Sequence, residues 1–330
     1  MSDRTHIEWT DATWSPVTGC TKVSPGCEHC YIERTPPFRM NGRKFRRPGA
    51  HVPECRVVTA SDWHRMQEVI ECTCPSSISI GATTGVVLHP DRFGKPLSWR
   101  KPRKVFVCSM ADLFHDHVPD EYIAQVFAVM ALSSRHTFQV LTKRSARLRS
   151  LLASDRFVDE VGRTATEMWA GPGWHHATDT QWPGWPLPNV WVGVSAEDQH
   201  WADIRIPALL ETPAAVRWVS AEPLLGPLDL DEWMWQDDPT ACSDPEHCSP
   251  RVPSSALSWV VVGGESGPHA RPMHPQWARD IRDQCAEAGV PYLFKQAGAV
   301  LAREWGGKGA GTDPAAWPEA FPREYPAVSS

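Results

Sequence analysis

Short apolar runs rich in β-branched residues recur along this chain, and each is followed by polar or turn-forming residues. Six such runs cover residues 105–108, 137–141, 190–194, 216–219, 258–262 and 291–294. Because the runs are nearly continuous rather than alternating apolar with polar residues, they are typical of strands buried on both faces of a parallel sheet.

Amphipathic helical patterns lie between these runs. Residues 120–131 carry an apolar stripe that includes Ile123 and Phe127, and residues 275–288 carry another. This alternation of strand and helix predicts an α/β fold, with parallel strands in a partial or full (β/α) TIM-like barrel.

The chain length of 330 residues is sufficient for one large domain. Stretches near residues 40–85, 162–188 and 231–256 show little periodicity, so we interpret them as irregular insertions into a single barrel domain over residues 1–330. The net charge of −6 excludes a uniformly basic nucleic-acid coat. Since no apolar run is long enough for a membrane span and the first residues lack an apolar signal segment, we expect a cytoplasmic protein without membrane contact.

Polar side chains follow the predicted strands at the point where each strand ends. In parallel α/β folds the carboxyl ends of the strands carry the functional site, so these side chains are candidate ligand-binding residues. The alternative is that they cap the helices that follow. The candidates are Ser109, Asp112, Lys143, Arg144, Ser195, Glu197 and Glu222.

Three cysteines, Cys20, Cys27 and Cys30, lie within eleven residues, just after a short predicted strand over residues 14–19. In a chain without a secretory signature, such a cluster indicates a metal site rather than a disulfide framework. Three thiolates on a four-iron cluster leave one iron open to a substrate. The alternative is a zinc site completed by His29 or by a distant cysteine.

Several motifs in this chain resemble the phage Gp37/Gp68 family, a largely uncharacterised, DUF5131-like family found in phages and bacteria. They lie at residues 7–31, 109–115, 138–144, 192–195, 220–225 and 263–267, so the resemblance runs over nearly the whole chain apart from the insertions. That family in turn resembles the radical S-adenosylmethionine superfamily, whose members hold a [4Fe-4S] cluster by three cysteines after the first strand of a (β/α) barrel. The first gap here, six residues, is longer than in the commonest superfamily motif.

The resemblance implies a mechanism and a set of residue roles. The open iron would chelate the amino and carboxylate groups of S-adenosylmethionine, and an electron would cleave its sulfonium to give a 5′-deoxyadenosyl radical that abstracts a substrate hydrogen. A flavodoxin or ferredoxin would supply the electron. From the positions of the strand ends, we expect the amino group at Ser109 and Asp112, the carboxylate at Lys143 and Arg144, ribose hydroxyls at Ser195 and Glu197, and ribose or substrate at Glu222.

A basic run follows the cysteine motif and is interleaved with Phe38 and Phe45. Cations and aromatic side chains beside a site favour a phosphate-bearing substrate, so we expect a nucleic acid or nucleotide. The alternative is a solvated loop in an acidic protein. The expected contacts are Arg43, Lys44, Arg46 and Arg47.

The cysteines of the insertions suggest a second metal site, either zinc or an auxiliary iron–sulfur cluster, although their spacing is not diagnostic. They are Cys55, Cys72, Cys74, Cys242 and Cys248. The sequence thus predicts a radical S-adenosylmethionine-type enzyme. Two alternatives remain open, a zinc-binding module that binds nucleic acid without catalysis and a barrel that has lost its chemistry.

Overall fold

A computed structural model describes residues 3, 5, 7–46, 80–171, 182–237, 251–254 and 256–327. Several candidate residues lie outside this described part of the chain, and the predictions made for them stay predictions. They are Arg47 of the basic run and the insertion cysteines Cys55, Cys72, Cys74, Cys242 and Cys248.

The described residues form the following strands and helices. The strands are β1 (Ala12–Trp14), β2 (Val17–Thr18), β3 (Val87–Leu88), β4 (Lys104–Val107), β5 (Thr137–Thr142), β6 (Val190–Ser195), β7 (Val216–Ala221), β8 (Trp235–Asp237), β9 (Arg251–Pro253), β10 (Trp259–Gly263) and β11 (Tyr292–Gln296). The helices are α1 (Pro36–Met40), α2 (Gly94–Ser98), α3 (Asp120–Ala131), α4 (Ser145–Leu152), α5 (Asp155–Ala170), α6 (Gln199–Leu210), α7 (Asp231–Met234), α8 (Pro275–Ala288) and α9 (Ala299–Glu304).

A seven-stranded parallel sheet, in the order β1-β4-β5-β6-β7-β10-β11, dominates the described residues. Each of the six predicted runs forms one of its strands, and β1 supplies the seventh. The α/β class and the partial (β/α) barrel are therefore confirmed. Strands β6 and β10 are buried at every position, as expected for strands covered on both faces.

The chain divides into two compact units, Met1–Val192 with Thr212–Ala215 and Gly193–Glu211 with Val216–Ser330. In the first unit, β4 pairs in parallel with β1 and with β5. In the second unit, β10 pairs in parallel with β7 and with β11. The carboxyl ends of neighbouring strands therefore lie together within each unit, and the candidate residues are best followed unit by unit.

The predicted strand over residues 14–19 is wrong in extent. Strand β1 ends at Trp14, and Val17–Thr18 instead pairs antiparallel with Val87–Leu88. Pro16 lies between the two strands and has no N–H to continue the parallel ladder, which explains the break.

Regular elements occur inside two of the segments interpreted as insertions. Helix α5 continues to Ala170, inside the segment 162–188. Strands β8 and β9 form an antiparallel pair inside the predicted insertion 231–256. In the part of the chain that the structure describes, no helix combines the length and hydropathy needed to cross a bilayer.

Candidate functional site

The first cysteine of the motif is held by the backbone on both sides. Gly19 donates its N–H to the carbonyl of Met110 at 2.9 Å, next to the carboxyl end of β4. On the other side, the Cys20 N–H donates to Thr84 Oγ1 at 3.0 Å, and the Thr84 N–H donates to the Cys20 carbonyl at 3.0 Å. These hydrogen bonds thus place Cys20 at the carboxyl edge of the parallel strands.

The other two cysteines lie on short turns that Lys22 closes. A 3₁₀ turn over Pro25–Cys27 leads into Cys30, which directly precedes the next 3₁₀ turn. Lys22 is 3% exposed as a residue, and its ammonium donates to the carbonyl of Glu28 at 2.6 Å and lies over the Phe45 ring. The loop therefore surrounds a buried cation, which sequence reasoning missed because a lysine in a polar loop is ordinarily solvated.

Three cations act on two buried thiols of this loop. Burial raises the pKa of Cys20 to about 12, against the opposing effect of the Arg144 guanidinium. Burial also raises the pKa of Cys30 to about 11, and here Lys143 and Lys22 oppose the shift. Because burial favours the protonated thiols, ligation of a metal there would release protons.

Asp112 and Arg144 form a buried ion pair beside the first cysteine. The two side chains are each 8% exposed, and Arg144 Nη1 lies 3.0 Å from Asp112 Oδ2. The carboxylate also accepts from Thr142 Oγ1 at 2.7 Å and from the backbone N–H of Lys143 at 3.1 Å. Although burial alone would raise the pKa of Asp112, Arg144 and these hydrogen bonds lower it. The pair is therefore charged, and it joins the ends of β4 and β5.

Arg144 also reaches the cysteine loop directly. Its Nη1 lies 3.9 Å from Cys20 Sγ, and its Nη2 donates to the Thr21 carbonyl at 3.2 Å. The structure thus brings together Cys20, Asp112, Lys143 and Arg144, four residues that the sequence analysis singled out separately. Ser109 is half-buried nearby, and its carbonyl accepts from the Tyr31 hydroxyl.

The His115 ring contacts the cysteine loop at Thr21. Its Nδ1 accepts the N–H of His117 at 3.0 Å, so Nε2 carries the proton and donates to Thr21 Oγ1 at 2.7 Å. Burial, aided by Arg144, lowers the pKa of His115 to about 4, and the ring is neutral at pH 7. His115 ends the motif at residues 109–115, which follows a predicted strand, so its position near the site could be predicted. Its contact with Thr21 could not.

The three thiols stand in the structure as free cysteines. Within the described ranges, no group of three or more His, Cys, Asp or Glu side chains is arranged to hold a metal ion. The three thiols therefore remain candidate metal ligands, and their ligation of a metal stays a prediction.

The residues of the basic run have different environments. Arg43 is half-buried and donates to the carbonyls of Thr84 and Gly85 at 3.2 and 2.9 Å, so its guanidinium ties the loop together. Arg46 pairs its backbone with Thr83, whereas Lys44 is exposed. Of the described residues predicted to contact nucleic acid, Lys44 is the one on the open surface.

In the second unit, Ser195 and Glu197 are held by one arginine of α6. Arg205 Nη1 donates to the Ser195 carbonyl at 2.7 Å and to Glu197 Oε2 at 2.8 Å. The two charged side chains are 1% and 0% exposed, so the pair is fully enclosed. The observed role of Glu197 is to neutralise a buried guanidinium.

Glu222 lies at the carboxyl end of β7 and is paired with a residue that sequence reasoning did not assign. Lys295 Nζ, at the end of β11, lies 2.8 Å from Glu222 Oε1, and both side chains are partly exposed. Ser220 Oγ donates to the other carboxylate oxygen at 3.3 Å. Gly263 of β10 leaves room for this carboxylate, because a Cβ there would lie 2.5 Å from Oε1. Lys295 follows the apolar run 291–294, so its place at a strand end was visible, but nothing in the sequence indicated that it pairs with Glu222.

A family model described as "Protein of unknown function (DUF5131)" matches residues 4–317. No curated protein matches the chain, and no solved structure matches it.

Proposed function

We propose that this chain, which belongs to the DUF5131 family of proteins of unknown function, is a radical S-adenosylmethionine-type enzyme. The observation that carries the proposal is the surroundings of the cysteine loop. Free thiols at Cys20, Cys27 and Cys30 lie on one loop at the carboxyl end of parallel strands, with buried or half-buried cations acting on them.

The donor set suits a [4Fe-4S] cluster in its chemistry. Thiolates are the protein ligands of such clusters, and three of them leave one iron open. The cluster and its ligands form an anionic group, which Lys22, Lys143 and Arg144 would partly neutralise. The Arg144 Nε–H is buried and has no hydrogen-bond partner among the described residues, so the site has a donor that lacks an acceptor.

When bound, the cluster would supply the electron that cleaves S-adenosylmethionine to methionine and a 5′-deoxyadenosyl radical. The chain itself fixes Cys20 between two backbone segments and keeps the region around it buried. The proposal requires the side chains of Cys27 and Cys30 to turn toward the cluster on binding, since the thiols do not form a ligand set in the structure. A one-electron donor of the flavodoxin or ferredoxin type completes the reaction.

The test is metal content and product formation after anaerobic purification and reconstitution. The proteins compared are the wild type, the Cys20→Ala/Cys27→Ala/Cys30→Ala triple variant and the control Cys285→Ala, which removes a buried thiol of α8. We expect about four irons per chain in the wild type and the control, and loss of iron in the triple variant.

With dithionite and S-adenosylmethionine, the two iron-loaded proteins are expected to release 5′-deoxyadenosine, measured by mass spectrometry. Zinc without iron after reconstitution would overturn the proposal and favour a zinc-binding module. Iron without 5′-deoxyadenosine would keep the cluster but overturn the radical chemistry.

A further inference from the structure

Positive charge is concentrated in residues 31–46, the segment that follows the cysteine loop. The segment has five basic residues and one acidic residue, a net charge of +4, in a chain whose net charge is −6. The acidic residue, Glu33, accepts the backbone N–H of Phe45, so its carboxylate is turned toward the loop. A local excess of cations attracts polyanions even where the whole protein is acidic.

Two of these cations, Arg39 and Lys44, are exposed on either side of a tight turn. The Gly42 N–H donates to the Arg39 carbonyl at 3.3 Å, and the Arg43 N–H donates to the Phe38 carbonyl at 2.9 Å. Among the described residues, neither Arg39 nor Lys44 has an acidic partner. Their charge is therefore not offset by a paired carboxylate.

Tyr31 adds an exposed aromatic ring at the start of the segment. The residue is 43% exposed, and its hydroxyl donates to the carbonyl of Ser109, just beyond the end of β4. A ring that is held at its hydroxyl while its face meets solvent is suited to stacking on a nucleobase. Because Cys30 is the preceding residue, the ring also lies beside the cysteine loop.

We propose that an exposed surface of this segment binds single-stranded nucleic acid. The surface, called the basic turn surface below, consists of Tyr31, Arg34, Arg39 and Lys44. The cations contact phosphates and the ring stacks on an unpaired base, which is the combination that binds single strands without reading their sequence. An anionic membrane fits less well, since α1 has only five residues and buries Phe38 instead of presenting it.

Binding at the basic turn surface requires no metal. That the bound strand is also the substrate of the neighbouring cysteine loop rests on the function proposed above. The two ideas can therefore be tested separately.

The experiment is a fluorescence anisotropy titration of the full chain with a labelled single-stranded RNA of about 12 nucleotides and with DNA of the same sequence. Arg39→Glu/Lys44→Glu reverses two charges of the surface, Tyr31→Ala removes the ring, and Tyr31→Phe keeps it. The control, Arg156→Glu/Lys308→Glu, changes the net charge equally at two exposed cations elsewhere. Circular dichroism checks that each variant is folded, and Arg39→Gln/Lys44→Gln replaces the charge reversal if that variant is not.

We expect Arg39→Glu/Lys44→Glu to bind about tenfold more weakly than the wild type. The slope of the logarithm of the binding constant against the logarithm of salt concentration should fall by about 1.5, since each lost phosphate contact removes about 0.7 on a single strand. Tyr31→Ala should also bind about tenfold more weakly, whereas Tyr31→Phe and the control should stay within about twofold of the wild type.

Three outcomes would overturn the inference. They are a wild type that binds neither oligonucleotide, equal losses in the control and in Arg39→Glu/Lys44→Glu, and equal affinities in Tyr31→Ala and Tyr31→Phe. Binding to phosphatidylserine vesicles but not to the oligonucleotides would also overturn it and would assign the surface to a membrane. All of these leave the proposed function standing, because iron content and 5′-deoxyadenosine decide that. A chain that binds the oligonucleotide through this surface but takes up no iron would instead keep this inference and overturn the proposed function.

Discussion

Replacing Gly19 with alanine tests the packing that places the cysteine loop. Gly19 has a φ of +93°, a conformation that disfavours any side chain. An added Cβ would overlap the carbonyl oxygen of Gly85 and would lie 2.5 Å from Arg43 Nη2. The neighbouring backbone cannot yield easily, because Thr84 and Cys20 are joined by hydrogen bonds in both directions.

Gly42→Ala provides a matched control. Gly42 also has a positive φ, +64°, but an added Cβ would have no atom within 4 Å. The control therefore measures backbone strain alone, about 1–2 kcal/mol. Overpacking against Gly85 adds about 1–3 kcal/mol, so Gly19→Ala should cost up to about 5 kcal/mol.

Thermal unfolding followed by circular dichroism measures the difference. We expect Tm to fall by about 10 °C in Gly19→Ala and by about 3 °C in Gly42→Ala. Gly19→Ala should also take up less iron on reconstitution, since Cys20 is the next residue. Equal decreases of Tm in the two variants would refute the reasoning, because the overlap with the Gly85 carbonyl would then not destabilise the protein.

Three further predictions concern other charged groups. Burial lowers the pKa of His89 to about 3, below the unfolded value of 6.5, so on acidification the unfolded chain takes up the proton before the folded chain does. As the pH is lowered from 6.5 to about 3, the free energy of unfolding should therefore fall by ~1.4 kcal/mol per pH unit. The urea midpoint should depend less on pH in His89→Gln than in the wild type, and an unchanged dependence contradicts this. Glu197→Ala should lower the free energy of unfolding, measured by chemical denaturation, by about 3–5 kcal/mol, because it leaves the enclosed Arg205 charged and without its carboxylate. Glu197→Leu/Arg205→Met should lower it by less, because both charges are removed. Equal losses in the two variants would refute the argument. Lys44→Glu should leave Tm unchanged and should reduce by about 1 the slope of the logarithm of the RNA-binding constant against the logarithm of salt concentration. Arg43→Gln should instead lower Tm, because its hydrogen bonds to the carbonyls of Thr84 and Gly85 are lost. Unaltered RNA binding in Lys44→Glu would count against a nucleic-acid contact.

Much of the fold was predictable because its signals are local. Helix α3 occupies the predicted residues 120–131, and α8 occupies 275–288, since an apolar stripe of helical period is encoded within a few turns. The early strand was predicted less well. The apolar run from Trp14 to Thr18 hides a change of partner at Pro16, and the choice of partner depends on β3, which lies about seventy residues away.

The candidate site was predictable only in part. Strand-end logic identified Asp112 and Arg144 separately, because parallel strands end on the same edge of a sheet. It assigned them to different groups of a cofactor, whereas in the structure they bind each other. Lys295 shows the same limit, since both it and Glu222 lie at visible strand ends, but their pairing with each other could not be predicted.

The sequence by itself determined the α/β class, the alternation of buried strands with amphipathic helices, and a loop that presents three thiols. These follow from backbone periodicity and from residue types that are adjacent in the chain. The tertiary structure decided which charges meet. Arg144 lies 32 residues from Asp112 and 124 from Cys20, and their contact exists because β1, β4 and β5 are neighbours in one sheet. Contacts between residues so far apart in the chain depend on the order of the strands in the sheet and on the hydrogen-bond partners available to each buried polar side chain. A short stretch of sequence contains neither kind of information.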